Sequence, residues 1–217
     1  QFSLNVINYE MKILSYLVLI VLVSGCDLSF MDKEYLIKDN KVYLKGWNEG
    51  SGSYERLIKE ADGNSFVSVD NDKNILIGHD KNHVYKESTI IENFDPNTFE
   101  YLGGYFYKDS DSVYFFGYYN DVNECELEGI DPSTITVFEQ YPWAKDKENV
   151  IYGRTILKIN DTKSMVVLSA NWAKTSSQVI YQGKLKKDID AKSFKLLEGK
   201  FARDKNHLYE SGNVVPE

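Results

Sequence analysis

Proton transfer is the first chemistry to look for, and the chain offers three histidines for it. His83 and His207 sit in matching hexapeptides, Asp80-Lys81-Asn82-His83-Val84-Tyr85 and Asp204-Lys205-Asn206-His207-Leu208-Tyr209, so they read as parts of a repeated pattern. Only His79 stands outside that slot, and no serine or cysteine lies in the strained strand-to-helix turn that a nucleophile-base pair uses. No glycine-rich phosphate loop, His-Glu-x-x-His or Cys-x-x-Cys occurs. Asp70-Asn71-Asp72 and Asp109-Ser110-Asp111 present alternating oxygen ligands suited to hard cations. Neither continues with the glycine and distal glutamate of a calcium loop, so these acids read as turn residues and no metal or cofactor is expected. Tyr105, Tyr107, Tyr118, Tyr119, Tyr141, Trp143 and Trp172 could stack on sugar rings, but Trp143 and Trp172 hold equivalent positions and read as core. The candidates left for ligand contact are the unrepeated Trp47, Tyr118 and Tyr119.

The most specific chemical signal lies near the amino end. After Gln1 to Glu10, read as an over-extended start, Met11 and Lys12 lead into an apolar run from Ile13 to Val23, interrupted by Ser15 and Tyr16. That run is about eleven residues, short of the roughly twenty that cross a bilayer as a helix, so residues 11–25 read as a signal peptide. Val23-Ser24-Gly25-Cys26 resembles the bacterial lipobox, in which two small residues precede a cysteine whose thiol takes a diacylglycerol. Cys26 is therefore the expected lipidation site, and two or three acyl chains there would supply stable anchoring. Asp27 resembles the inner-membrane retention signal of enterobacterial lipoproteins, which would place the domain on the periplasmic face of that membrane. With Cys26 acylated, Cys125 has no partner within the chain and no internal disulfide is expected. Glu124 and Glu126 disfavour a thiolate at Cys125, which reads as a small semi-buried side chain.

The body of the chain must position whatever remains, and it is repetitive. An apolar residue followed by tyrosine recurs as Val42-Tyr43, Val84-Tyr85, Val113-Tyr114, Ile151-Tyr152, Ile180-Tyr181 and Leu208-Tyr209, the last five tyrosines being 29, 38, 29 and 28 positions apart by subtraction. A basic-acidic pair precedes most of them, with an aromatic residue ahead of the pair, as in Trp143-Ala144-Lys145-Asp146 and Phe201-Ala202-Arg203-Asp204. A second block, Asp95-Pro96-Asn97-Thr98-Phe99, recurs at Asp131, Asp161 and Asp190, each with an apolar residue seven places on: Leu102, Phe138, Leu168 and Leu197. Aspartate followed three places later by a hydroxyl predicts one short helical turn.

The unit therefore reads as a hairpin plus a connector. Apolar residue and tyrosine are adjacent rather than alternating, so both faces of that strand are expected to be covered, one by the core and one by a neighbouring copy. Stability then depends on stacking. The expected fold is all-β: repeated antiparallel hairpins with short helical-turn connectors after an N-terminal signal helix. An open stack is favoured over a propeller-like ring because units of this length are short for four-stranded blades. The expected organisation is a start segment over 1–10, signal peptide over 11–25, tether over 26–32, a degenerate or capping repeat over 33–78, and regular repeats over 79–217. Trp47-Asn48-Glu49-Gly50-Ser51-Gly52-Ser53 reads as a loop, and Tyr54 to Ala61 as a short helix or strand.

These hexapeptides resemble the signature of the DKNYY family, bacterial repeat proteins to which no chemistry is attached. The resemblance covers residues 79–217, and more faintly 33–78. Lys145-Asp146-Lys147-Glu148-Asn149-Val150-Ile151-Tyr152 reads as a variant with one extra residue before the tyrosine. Where the family has a second aromatic, this chain has Lys86, Gly153, Gln182 and Glu210, with only Phe115 conforming. The resemblance implies no activity. A net charge of −8 argues against nucleic acid as a partner. Two functions stay open: a lipid-tethered, non-enzymatic interaction or scaffold module facing an envelope protein or glycan, or an envelope hydrolase with carboxylates drawn from loops. The only departure from symmetry is the insertion from Asn120 to Gly129.

Overall fold

The computed structural model describes residues 33–70, 75–116, 125–159 and 161–216. The expected signal helix, Cys26, Tyr118 and Tyr119 lie outside them. The described residues are all-β, arranged as six small antiparallel sheets in chain order. The described residues divide into two compact units, with the boundary between Lys59 and Glu60.

In the first unit, β1 (Glu34–Lys38), β2 (Lys41–Asn48) and β3 (Gly52–Ile58) form a meander. The stretch read as a loop from Trp47 to Ser53 is mostly strand, and only Glu49 to Ser51 turn between β2 and β3. The Asn48 side-chain oxygen holds that turn by accepting from the Gly50 and Ser51 backbone N–H groups at 3.1 and 2.8 Å. Asp39 and Asn40 join β1 to β2 with φ of 50° and 60°, the left-handed pair that a two-residue hairpin needs.

The second unit contains five sheets. The first comprises β4 (Val67–Val69), β5 (Ile77–His79), β6 (Val84–Lys86) and β7 (Thr89–Ile91), and the next β8 (Glu100–Gly103), β9 (Phe106–Lys108) and β10 (Val113–Phe115). The third comprises β11 (Thr136–Val137), β12 (Trp143–Lys145), β13 (Asn149–Tyr152) and β14 (Thr155–Lys158). The fourth comprises β15 (Val166–Val167), β16 (Trp172–Lys174), β17 (Val179–Tyr181) and β18 (Lys184–Lys186), and the last β19 (Lys195–Leu196), β20 (Phe201–Arg203), β21 (Leu208–Glu210) and β22 (Asn213–Val214). The expected hairpins are the central pairs, such as β12 with β13, and in four of the five sheets the pair is flanked by a further strand on both sides, whereas β9 and β10 have only β8 beside them among the described strands. Four strands fit into so short a unit because most are only two to four residues long.

Strands this short have no stability alone, so the stack depends on the cores between sheets. Each core is made from one face of a sheet and the opposite face of its successor. Trp143 and Val150, with Tyr152, pack against Ala173 and Ile180 of the following sheet. Trp172 and Val179, with Tyr181, pack against Ala202 and Tyr209. Phe106, Val113 and Phe115 meet Ala144 and Ile151 in the same way, and Ile77 and Val84 meet Tyr107 and Tyr114. Burying each aliphatic side chain contributes about 1.5–3 kcal/mol. No core among the described residues joins the first of these five sheets to the last, consistent with an open stack.

The six tyrosines do not share one slot. Tyr85, Tyr114 and Tyr209 are equivalent, but in the third and fourth sheets that slot holds Ile151 and Ile180. Tyr152 and Tyr181 come one residue later, point to the other face, and lie against Trp143 and Trp172 with ring centroids 4.7 and 4.5 Å apart. The extra residue before Tyr152 is thus not an insertion in the turn but a tyrosine placed one position further along the strand. The turn from Asp146 to Asn149 has the same length as that from Asp80 to His83.

The turn between β21 and β22 contains Gly212 at φ +81°, and a Cβ there would lie 2.5 Å from the Tyr181 ring of the preceding sheet. Gly199 has φ +66° but open space around it. In urea unfolding, Gly199→Ala is expected to cost about 1 kcal/mol for the left-handed backbone alone, and Gly212→Ala about 2–4 kcal/mol because Tyr181 must also move.

Candidate functional site

The polar centre of each repeat is the aspartate of the basic-acidic pair. Asp80 Oδ1 accepts from the backbone N–H groups of Asn82 and His83 at 2.7 and 2.8 Å, closing the turn. Its Oδ2 accepts from the Tyr85 hydroxyl at 2.9 Å and from the Asp62 backbone N–H, 18 residues upstream, at 2.8 Å. Asp109 repeats this set with Asp111, Ser112, Tyr114 and Asp95, and Asp204 repeats it with Asn206, His207, Tyr209 and Asp190. In the third sheet Ile151 has no hydroxyl to offer, and the Asn149 side-chain amide takes its place, donating to Asp146 Oδ2 at 2.9 Å. The fourth sheet departs further. Thr175 accepts from the Gln178 backbone N–H at 3.1 Å but has no second oxygen, and the connector is held instead by Ser176, whose hydroxyl and N–H donate to Asp161.

The connector block is tied to the turn in return. Ser65, Thr98, Thr134, Ser164 and Ser193 each accept from the backbone N–H that follows the turn aspartate or its threonine replacement, at 2.8 to 3.4 Å. Ion pairs Lys81–Asp62, Lys147–Asp131 and Lys205–Asp190 close the same link on the surface. Among these connectors only Thr162–Ser164 forms a complete 3-10 turn, whereas the others are single turns capped by their own aspartates. Asp62-Gly63-Asn64-Ser65-Phe66, within the stretch read as degenerate, is a full copy of the block and belongs to the first of the five sheets.

Burial alone would raise the carboxyl pKa values of Asp80, Asp146 and Asp204, but the donated hydrogen bonds outweigh it and hold all three below the ordinary range. The paired phenol moves the other way: burial and the adjacent Asp204 carboxylate push Tyr209 up to about 12. An ionised carboxylate with every lone pair engaged is a poor base and a poor metal ligand. Asp109, one of the candidate cation ligands, has its oxygens engaged by the same set of four donors.

The remaining candidates are dispersed. His83 and His207 follow equivalent aspartates in their turns, and His79 lies 5.8 Å from the Phe99 ring, centroid to centroid. Cys125 is buried in the core between the first two of the five sheets, and desolvation pushes its thiol up to about 11. The Cys125 carbonyl accepts from the Phe115 N–H and the Leu127 N–H donates to the Val113 carbonyl, so the described end of the insertion extends the ladder beside β10. Trp47 is 38% exposed on one face of the first unit with Tyr43, Leu36 and Leu57, but the charged row Glu34–Lys45–Glu55 runs between Trp47 and the other three, and Lys38 pairs with Glu55 across Tyr43.

The profile of the DKNYY family matches residues 35–213. This chain belongs to the DKNYY family. No curated protein and no solved structure matches it significantly. The DKNYY match takes in the first unit as well as the five stacked sheets, so it reaches further than the hexapeptides alone suggested. In this DKNYY chain the aspartate after the basic residue is the hub on which turn, tyrosine and connector converge. The sequence marked it as a turn residue only. A constant five-residue step to tyrosine, with Asn149 appearing where the tyrosine is lost, was the available signal of its larger role.

Because the folded pKa values of Asp80, Asp146 and Asp204 lie below their unfolded values, their contribution is complete above about pH 4 and lost as pH falls through the folded values. Thermal melts should therefore lose stability steeply on acidification below that point. Asp204→Asn turns an N–H₂ group towards the Tyr209 hydroxyl and Asp190 N–H, and is expected to cost about 1–3 kcal/mol at pH 7 and to flatten the acid slope.

Proposed function

We propose that this chain is a membrane-anchored lipoprotein whose DKNYY domain is a non-catalytic interaction or scaffold module, directed at a protein or glycan of the bacterial cell envelope. The observation that carries this reading is the same saturated carboxylate at equivalent places in four sheets. Groups of a type that could do chemistry are spent on holding turns, and they recur as a scaffold residue does. Tethering supports the same reading, since lipid on Cys26 would present the stack at the membrane surface without a spanning helix.

Cys26→Ser tests the anchor. The wild-type protein should incorporate labelled fatty acid and partition into detergent on phase separation, whereas the variant should carry no label and enter the aqueous phase. Acylation that persists in the variant would remove the lipid assignment.

The face around Trp47 supports a second reading, binding of an envelope carbohydrate or peptide, because exposed aromatic and aliphatic side chains there share one side of a three-stranded sheet. Trp47→Ala should weaken retention on envelope glycan or peptide arrays at least about tenfold with an unchanged melting temperature. Equal retention would set this reading aside.

A further inference from the structure

The last sheet exposes a stacking surface that every earlier sheet of the second unit covers. Leu197, Phe201 and Leu208 are 39%, 36% and 40% exposed. Their equivalents Leu168, Trp172 and Val179 lie in the core against the last sheet, Phe138, Trp143 and Val150 in the core before it, and Leu102, Phe106 and Val113 in the one before that. The polar lock of those interfaces is also left open. Lys108, Lys145 and Lys174, each preceding the turn residue, donate to connector carbonyls of the next sheet: Pro132, Thr162, and Ala191 with Phe194. Arg203 holds that position in the last sheet, exposed, and no described residue accepts from its guanidinium.

We propose that this face is a self-association surface that pairs with the same face of a second copy of the chain. In the other four sheets of the stack the corresponding face is already covered, so a second copy supplies the matching uncovered surface. The register makes the face self-complementary. Phe201 lies opposite Glu210, and Arg203 opposite Leu208, so the two apolar side chains occupy one diagonal and the two opposite charges the other. A two-fold axis along the Phe201–Leu208 diagonal brings each Arg203 to the Glu210 of the other copy and lays apolar on apolar, as a closed isologous dimer requires. Glu210 already pairs with Lys200, and the second cation would complete a small network around it.

The full chain, purified in detergent, tests this whether or not Cys26 carries lipid. Leu208→Cys places a thiol on the proposed axis and should form a disulfide-linked dimer under mild oxidation. Val166→Cys, 51% exposed on an edge strand away from that face, should not. Arg203→Glu should cut the Leu208→Cys cross-linking at least about tenfold, and adding Glu210→Arg should restore it, an outcome that mere surface stickiness would not give. Both charge variants lie on the surface, and a circular dichroism melt confirms that each is folded. Equal cross-linking from Val166→Cys, no rescue by charge exchange, or a Leu208→Cys protein that stays monomeric to about 100 µM would overturn the proposal.

Discussion

A buried carboxylate that accepts from its own turn and from the connector before it holds this architecture together. With strands of two to four residues, ladder hydrogen bonds cannot define where one repeat ends and the next begins. The aspartate does so by filling its four acceptor positions from three separate sources: the turn backbone, a side chain a few places on, and a connector N–H 14 to 18 residues upstream. Hydrogen bonds to a charged acceptor contribute about 1.5–3 kcal/mol each, so one side chain outweighs the few backbone bonds of a short strand. Burial of the charge is tolerable only because the set is complete.

The sheets are then joined by a division of labour between their faces. One presents a large aromatic and a β-branched residue, as Trp143 and Val150 do, and the other a small residue and an aliphatic or tyrosine, as Ala173 and Ile180 do. Large against small lets short sheets approach closely, and the lysine before the turn adds a polar bond across the same seam. Side chains that looked like candidates for ligand stacking, Trp143 and Trp172, are therefore spent inside the stack.

Repetition made most of this legible in the sequence. The all-β class, the core role of the tryptophans and the pairing of the turn with the Val-Tyr strand all follow from residues recurring in step. What escaped did so for physical reasons. Flanking strands such as β15 and β19 are two residues long and leave no alternation to see. Tyr152 and Tyr181 were aligned with Tyr85 because tyrosine is conspicuous, whereas the structure aligns by turn geometry and places isoleucine in that slot. The block at Asp62 was hidden by its longer separation from Asp80, 18 residues rather than 14 or 15, although the hydrogen bond between them is intact. At the candidate site, the turn role of the aspartates could be read locally, but their bond to the connector joins residues that no local pattern links.

The bond between connector and turn has a consequence for how such chains vary. It links each repeat to itself and the lysine bond links it to the next, so no contact in the stack specifies how many repeats there must be. Length is then free to change in whole units, each added sheet covering the face that its predecessor leaves open.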